Sequence, residues 1–168
     1  MEMLTGAVSD AQPMEEAVVS KRLVSSLKHK EYVRVKVGEV NGRLVASPLA
    51  RGAAAATSLV KADGVCVIDQ NLEGYEAGET VQVELWRPRD EIRHTIVSVG
   101  SHDMIMDFLA DLLPTLFPGM HLSSTHVGSM AGLMALKRGE SHIAPTHLLD
   151  EETGVYNTAY LKRIFPDR

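Results

Sequence analysis

IVSVGSHD (Ile96–Asp103), SSTHVGSM (Ser123–Met130) and IAPTHLLD (Ile143–Asp150) decide the fold of the second half of this sequence. Each runs from a strand-like segment, through a hydroxyl residue and a histidine, into a stretch that reads as helix or loop. All three are strand exits of an α/β sheet. They set Ser101-His102, Thr125-His126 (with Gly128-Ser129 just beyond) and Thr146-His147 at the carboxyl ends of candidate strands. In an open α/β sheet those ends line the rim where ligands bind. Helix starts there offer unpaired N–H groups and partial positive charge, which suits an oxyanion. The reading is therefore one shared small-anion pocket, or half of one. Its ligands are drawn from Ser101, His102, Thr125, His126, Gly128, Ser129, Thr146 and His147.

The segments between the junctions fit the same scheme. Ile105, Phe108, Leu109 and Leu112 have the i, i+3, i+4, i+7 spacing of a core-facing helix. Ser101 is placed to cap that helix, Asp103 to favour its first turn, and Pro114 to end it. A second helix over 129–138 stacks Met130, Leu133 and Met134 and stops at Gly139. HIAPTH reads as a third strand whose Pro145 places it at an edge or a bend. A last helix, in YNTAYLKRIF, is expected to bury Tyr160, Leu161, Ile164 and Phe165 before Pro166 ends it. HLSSTHV is polar for an interior strand, so Ser123, Ser124 and Thr125 need partners in backbone or ligand.

Upstream the period changes. YVRVKVGEV alternates, with Val33, Val35 and Val37 on one face and Arg34 and Lys36 on the other, and Asn41-Gly42 follows as a hairpin signal. RLVASPLA returns, GVCVID is a buried strand, and ETVQVELW alternates again through Val81, Val83 and Leu85. Residues 15–27 fit a short helix and a bulged strand about equally, and their valines favour strand. Thr57–Lys61 looks like one helical turn, and Arg51-Gly52 like an exposed connection. Short strands and tight turns make a small barrel or sandwich over 15–88. Pro88-Arg89-Asp90-Glu91 reads as a linker, and an α/β lobe follows over 94–168. The fold class is α+β overall.

The bulk properties are those of an ordinary globular chain: 45% hydrophobic and 23% charged over 168 residues, net charge −5. Neither half is basic, so there is no electrostatic footprint for nucleic acid. The single cysteine, Cys66, excludes an internal disulfide and a thiolate cluster, and its apolar setting suggests an inert buried thiol. No leader-like N-terminus and no membrane-length apolar run is visible, so a cytoplasmic location is expected.

SLKHKEYVRVKVGEVNGRLVASPLARG, TSLVKADGV and EGYEAGETVQVELW resemble the C-terminal β domain of the molybdopterin molybdenumtransferase family over roughly residues 15–87. The resemblance implies a place in molybdenum insertion into molybdopterin, a reaction that uses Mg²⁺ and adenylylated molybdopterin. In that family the β domain borders the active-site cleft of a dimer, which implies a homodimer and makes Arg51 a candidate contact. The pterin-binding catalytic domain lies upstream of the β domain and is not in this sequence, so no transferase turnover is expected of these residues alone. VGSHD and STHVGSMAGLMALKRGESHIAPTHLLDEETGVYN are similar to the periplasmic-binding-protein-like domain fused behind that β domain, from about Val97 to Phe165. Its relatives bind small ligands between two lobes, molybdate and tungstate among them. Only the first lobe, half of a type II periplasmic binding protein, is expected here.

Other chemistries compete with the anion pocket. His102, His126 and His147, with Asp103 or Asp150, offer ligands for a divalent transition metal, though no HxH or HxxxH spacing supports them. A third reading takes the β module as a dimer contact and the lobe as a scaffold, with no ligand. Ser101-His102-Asp103 supplies the residue types of a hydrolase triad, but adjacent residues cannot adopt its geometry and no G-x-S-x-G elbow is present. A nucleotide phosphate loop ending in GK[ST] is also missing. Lys137 and Arg138 lie at the far end of their helix from the rim.

Overall fold

The computed structural model describes residues 13–49 and 61–166. Arg51 and the turn expected over 57–60 lie outside them. Nine strands are described: β1 Met14–Val19, β2 Leu23–Val24, β3 Glu31–Val40, β4 Arg43–Pro48, β5 Gly64–Ile68, β6 Gly74–Tyr75, β7 Thr80–Leu85, β8 Thr95–Gly100 and β9 His121–His126. The helices are α1 Arg89–Ile92, α2 Met104–Leu116, α3 Ser129–Lys137 and α4 Thr158–Ile164.

Five strands close a barrel in the order β1-β4-β3-β5-β7, with β1 parallel to β4 and antiparallel to β7. Alternation places Val33, Val35 and Val37 of β3 inside with Cys66, Ile68, Val81, Val83 and Leu85. Asn41 and Gly42 both take positive φ, 52° and 78°, the backbone that a two-residue hairpin between twisted strands requires. Burial pushes the Cys66 thiol up to about 11, so it stays protonated and inert in the core.

The segment that reads as a linker does structural work. Residues 89–92 form the short helix α1, and Ile92 is fully buried in the barrel's own core cluster. Arg89, on the same turn, donates to Glu39 at 2.8 Å and pairs with Glu15 at 3.5 Å. Helix α1 therefore plugs the barrel as it hands the chain to the lobe.

The lobe is built on a parallel pair, β8 and β9, linked through α2. The expected third strand is reduced to one bridge, Ser98 to Ile143, with Val99 N–H donating to Ile143 and Ser101 N–H to Pro145. Pro145 has no N–H to return, which stops the ladder there.

Barrel and lobe share apolar contacts. Val40 and Val45 on the barrel's outer face pack against Val97, Val99 and Ala135. A Cβ on Gly38 of β3 would lie 2.4 Å from Val97 Cγ2 and 3.2 Å from the Thr95 carbonyl, so only glycine lets β8 lie this close.

Several expectations about the helices fail. Ile105, Phe108, Leu109 and Leu112 share a face as the spacing predicts, but that face is exposed, Phe108 by 70%. Helix α2 turns Met106 inward instead, and nothing among the described residues covers the apolar stripe. Pro114 lies inside α2, which ends at Leu116. Met130, Met134 and Leu161 are exposed as well, leaving Leu133 and Ile164 as the buried anchors of α3 and α4.

Replacing Gly38 by alanine should destabilise the fold by about 1–3 kcal/mol, because the stiff Val97 side chain and a backbone carbonyl must move. Urea unfolding with an unchanged midpoint would refute this packing.

Candidate functional site

Three chain crossings do meet. Ser101 leaves β8, Ser129 opens α3 and His147 follows the bridged segment. Ser101 Oγ lies 2.7 Å from Ser129 Oγ and 2.9 Å from His147 Nδ1, and the His147 N–H donates to Ser129 Oγ at 3.1 Å. Two proton arrangements satisfy these contacts: Ser129 donates to Ser101 and Ser101 to Nδ1, or a protonated Nδ1 donates to Ser101 and Ser101 to Ser129. The two hydroxyls are buried while His147 is exposed.

Local geometry explains why the three approach so closely. Gly128 takes φ 87° at the entry to α3. A Cβ on Gly132 would lie 2.5 Å from the Gly100 Cα and the Val99 carbonyl, so the first turn of α3 can lie against the end of β8. Gly100 leaves the same room for the Pro145 carbonyl, 2.5 Å from where its Cβ would be.

The remaining predicted residues divide. His102 and His126 stand beside the cluster as an edge-to-face pair, Nδ1 to Nδ1 at 3.3 Å. Thr125 faces away from the rim, sharing a 3.2 Å hydroxyl contact with Ser20 of the barrel, and Ser20 donates in turn to Ser47. Alternation along β9 decides this: Ser123 and Thr125 are buried while His126 is exposed. Thr146 joins only through its carbonyl, which accepts from Asn157 at 3.3 Å. Ser101 does not cap α2; Asp103 does, accepting the Ile105 N–H at 2.9 Å.

The amides at the rim are mostly turned inward. Ser101 N–H donates to Pro145, and the Val127 and Gly128 N–H groups both donate to Gly100. The exception is the first turn of α3. Among the described residues, the N–H groups of Ser129, Met130 and Ala131 meet no acceptor.

No group of three or more His, Cys, Asp or Glu side chains among the described residues is placed to hold a metal ion. The histidine trio therefore does not assemble, because His147 turns Nδ1 onto the serines while His102 and His126 turn theirs on each other.

Two features escaped the sequence reading. His142 accepts the Val97 N–H through Nδ1 at 2.9 Å, its ring standing in for a strand carbonyl. The outer wall of the barrel carries a buried carboxylate, Asp63, which accepts from Val37 N–H at 2.9 Å and from Arg87 at 2.7 Å. Asp63-Gly64 reads as a turn in the sequence, and nothing local there announces a charge centre.

With this geometry in hand, the comparisons divide the chain in two. Residues 16–86 match the MoeA C-terminal region (domain IV), and residues 110–168 match the PBP superfamily domain. The barrel is thus similar to the MoeA C-terminal region, and the lobe from residue 110 onward to the PBP superfamily domain. The chain is similar to a molybdenum cofactor biosynthesis protein from Pyrococcus furiosus, 30% identical over 51% of this chain and 29% of that one, with a TM-score of 0.40. It is also similar to a molybdopterin biosynthesis MoeA protein from Pyrococcus horikoshii, 25% identical over 45% of this chain and 19% of that one, with a TM-score of 0.38. The chain thus spans less than a third of the length of these solved relatives. No curated protein matches it. No helix among the described residues is long and apolar enough to cross a membrane.

Where the barrel meets the lobe, His121 is held below its ordinary value of 6.5, first by burial and then by the positive charges of Arg87 and Lys36; Asp63 and Glu91 oppose this. A lowered folded-state value means that the unfolded chain binds the proton more readily. Stability should therefore be intact above pH 6.5 and fall as pH drops through the folded-state value. His121→Gln should flatten that part of a urea-midpoint-versus-pH profile. A profile with the wild-type slope would show that His121 does not contribute.

Proposed function

We propose that this chain acts in molybdenum cofactor biosynthesis as the C-terminal part of a MoeA-type protein. In this reading the PBP-type lobe receives a small oxyanion, molybdate or tungstate, or the molybdopterin cofactor itself. The observation that carries the binding role is the Ser101–Ser129–His147 cluster beside the three unoccupied amides that open α3. Neutral hydroxyls and helix N–H groups can hold a dianion without a lysine or arginine. Three such bonds to an ionised ligand would contribute about 1.5–3 kcal/mol each, enough for micromolar affinity in combination.

A second reading has a specific observation behind it. The two serines and the histidine already satisfy one another, so the cluster also serves as a knot that ties the three crossings into a scaffold. Calorimetric titration with molybdate, tungstate, sulfate and zinc separates the two. Saturable anion heat that falls at least about tenfold in affinity in Ser129→Ala and in Ser101→Ala supports binding. Absence of anion heat, with lowered thermal stability in both variants, leaves the scaffold. Heat from zinc alone, lost in His126→Ala, would move the site to the His102–His126 pair.

A further inference from the structure

A groove of about 590 Å³ runs between barrel and lobe, on the flank of the molecule defined by β3 and α2 and apart from the Ser101–Ser129–His147 cluster. That size and that position, at a seam between two packed units, are typical of small-molecule sites. The barrel contributes Lys36, Lys61 and Arg87; the lobe contributes His121 together with Asp107 and Asp111, one turn apart on α2.

The charges on the two walls do not cancel locally. Among the described lining residues the barrel wall has one carboxylate, the buried Asp63, engaged by Arg87 at 2.7 Å and by the Val37 N–H at 2.9 Å, and Arg87 also pairs with Glu91 at 3.0 Å. Lys36 reaches it only at 3.7 Å, although its side chain is 17% exposed, so an ammonium with three N–H donors has one distant partner. Lys61 has no ion pair among the described residues. The groups whose charge acts on Lys36 are Asp63, Arg87 and Lys61; Asp107 and Asp111 are not among them. Burial and its cationic neighbours hold Lys36 below the usual lysine range, and burial with Arg87 and Lys36 does the same for His121. Lys36 and Lys61 thus face the groove short of anionic partners while Arg87 is already paired, and an acidic pair on α2 lines the groove without an ion pair among the described residues.

The geometry points to a binding site for a small zwitterion in this groove, its anionic group on Lys36 and Lys61 and its ammonium or N–H end on Asp107 and Asp111. An ion network that merely closed the barrel would need Asp63 and Arg87 but neither Lys61 nor the two aspartates of α2. The groove is independent of the rim, so either site can fail without the other.

The test is NMR titration of the ¹⁵N-labelled chain with phosphoethanolamine and β-alanine, and with ethyl phosphate as an anion lacking the amine. The expected result is saturable shifts centred on Lys36, His121 and Ser124, not on Ser101 or Ser129, with ethyl phosphate at least about tenfold weaker than phosphoethanolamine. Whichever of phosphoethanolamine and β-alanine binds more tightly identifies the anionic group as phosphate or carboxylate. Lys61→Ala, at an exposed position, should weaken binding several-fold, and Lys36→Met, which keeps the apolar stem, more. Asp107→Asn with Asp111→Asn should bring phosphoethanolamine down to the level of ethyl phosphate. No saturable shift with either amine-bearing probe would overturn the proposal, as would shifts that persist unchanged in Lys61→Ala.

Discussion

Everything in the lobe depends on how closely β8 lies against the barrel. Gly38 gives β8 that room at a position on β3 where any side chain would strike Val97. Once β8 is seated, Val97 and Val99 bury against Val40 and Val45, and apolar burial of this kind supplies most of the favourable free energy of such a contact. Helix α1 reinforces the seat from the other side, because Ile92 belongs to the barrel's core while its neighbour Arg93 leads directly toward β8. Barrel and lobe are therefore joined by a packed seam, and their relative orientation is a property of that seam.

The seam also accounts for the polarity of β9. An interior strand reading HLSSTH would be costly if its hydroxyls found no partners. Thr125 finds Ser20, and Ser20 finds Ser47, so part of that polarity serves contact with the barrel and not the rim. The seam leaves the two ends of the lobe with different chemistry. At the strand ends, serines and a histidine hold one another in an uncharged cluster beside open helix amides. On the flank, buried and half-buried charges of both signs face a groove. An uncharged donor set and a divided charged set suit different ligands, and the fold keeps them apart.

The histidines show how far sequence position can mislead. Four hydroxyl–histidine pairs occur in the chain, and the structure gives them three kinds of work. His147 shares a hydrogen bond with Ser101, His102 and His126 engage each other, and His142 replaces a strand carbonyl for Val97. Ring nitrogens within hydrogen-bond reach of backbone are taken up by backbone, since an unpaired buried N–H is costly. What each histidine does was decided by which nitrogen partner lay nearest, and spacing along the chain does not report that.

The sequence alone determined β3, β4, β5 and β7 of the barrel, their inward faces and the first hairpin, and left β1 open between helix and strand. Alternation of period two and an Asn-Gly turn are local properties, and Val33, Val35, Val37, Asn41 and Gly42 all act as their pattern requires. It also determined that Ile105, Phe108, Leu109 and Leu112 lie on one helix face. Only the tertiary structure decided that this face is open, that Ile92 plugs the barrel, and that Ser101, Ser129 and His147 touch while Thr125 turns to Ser20. Periodicity fixes which side chains share a direction. What stands in that direction depends on contacts between residues tens of positions apart, and those are set by how the elements pack.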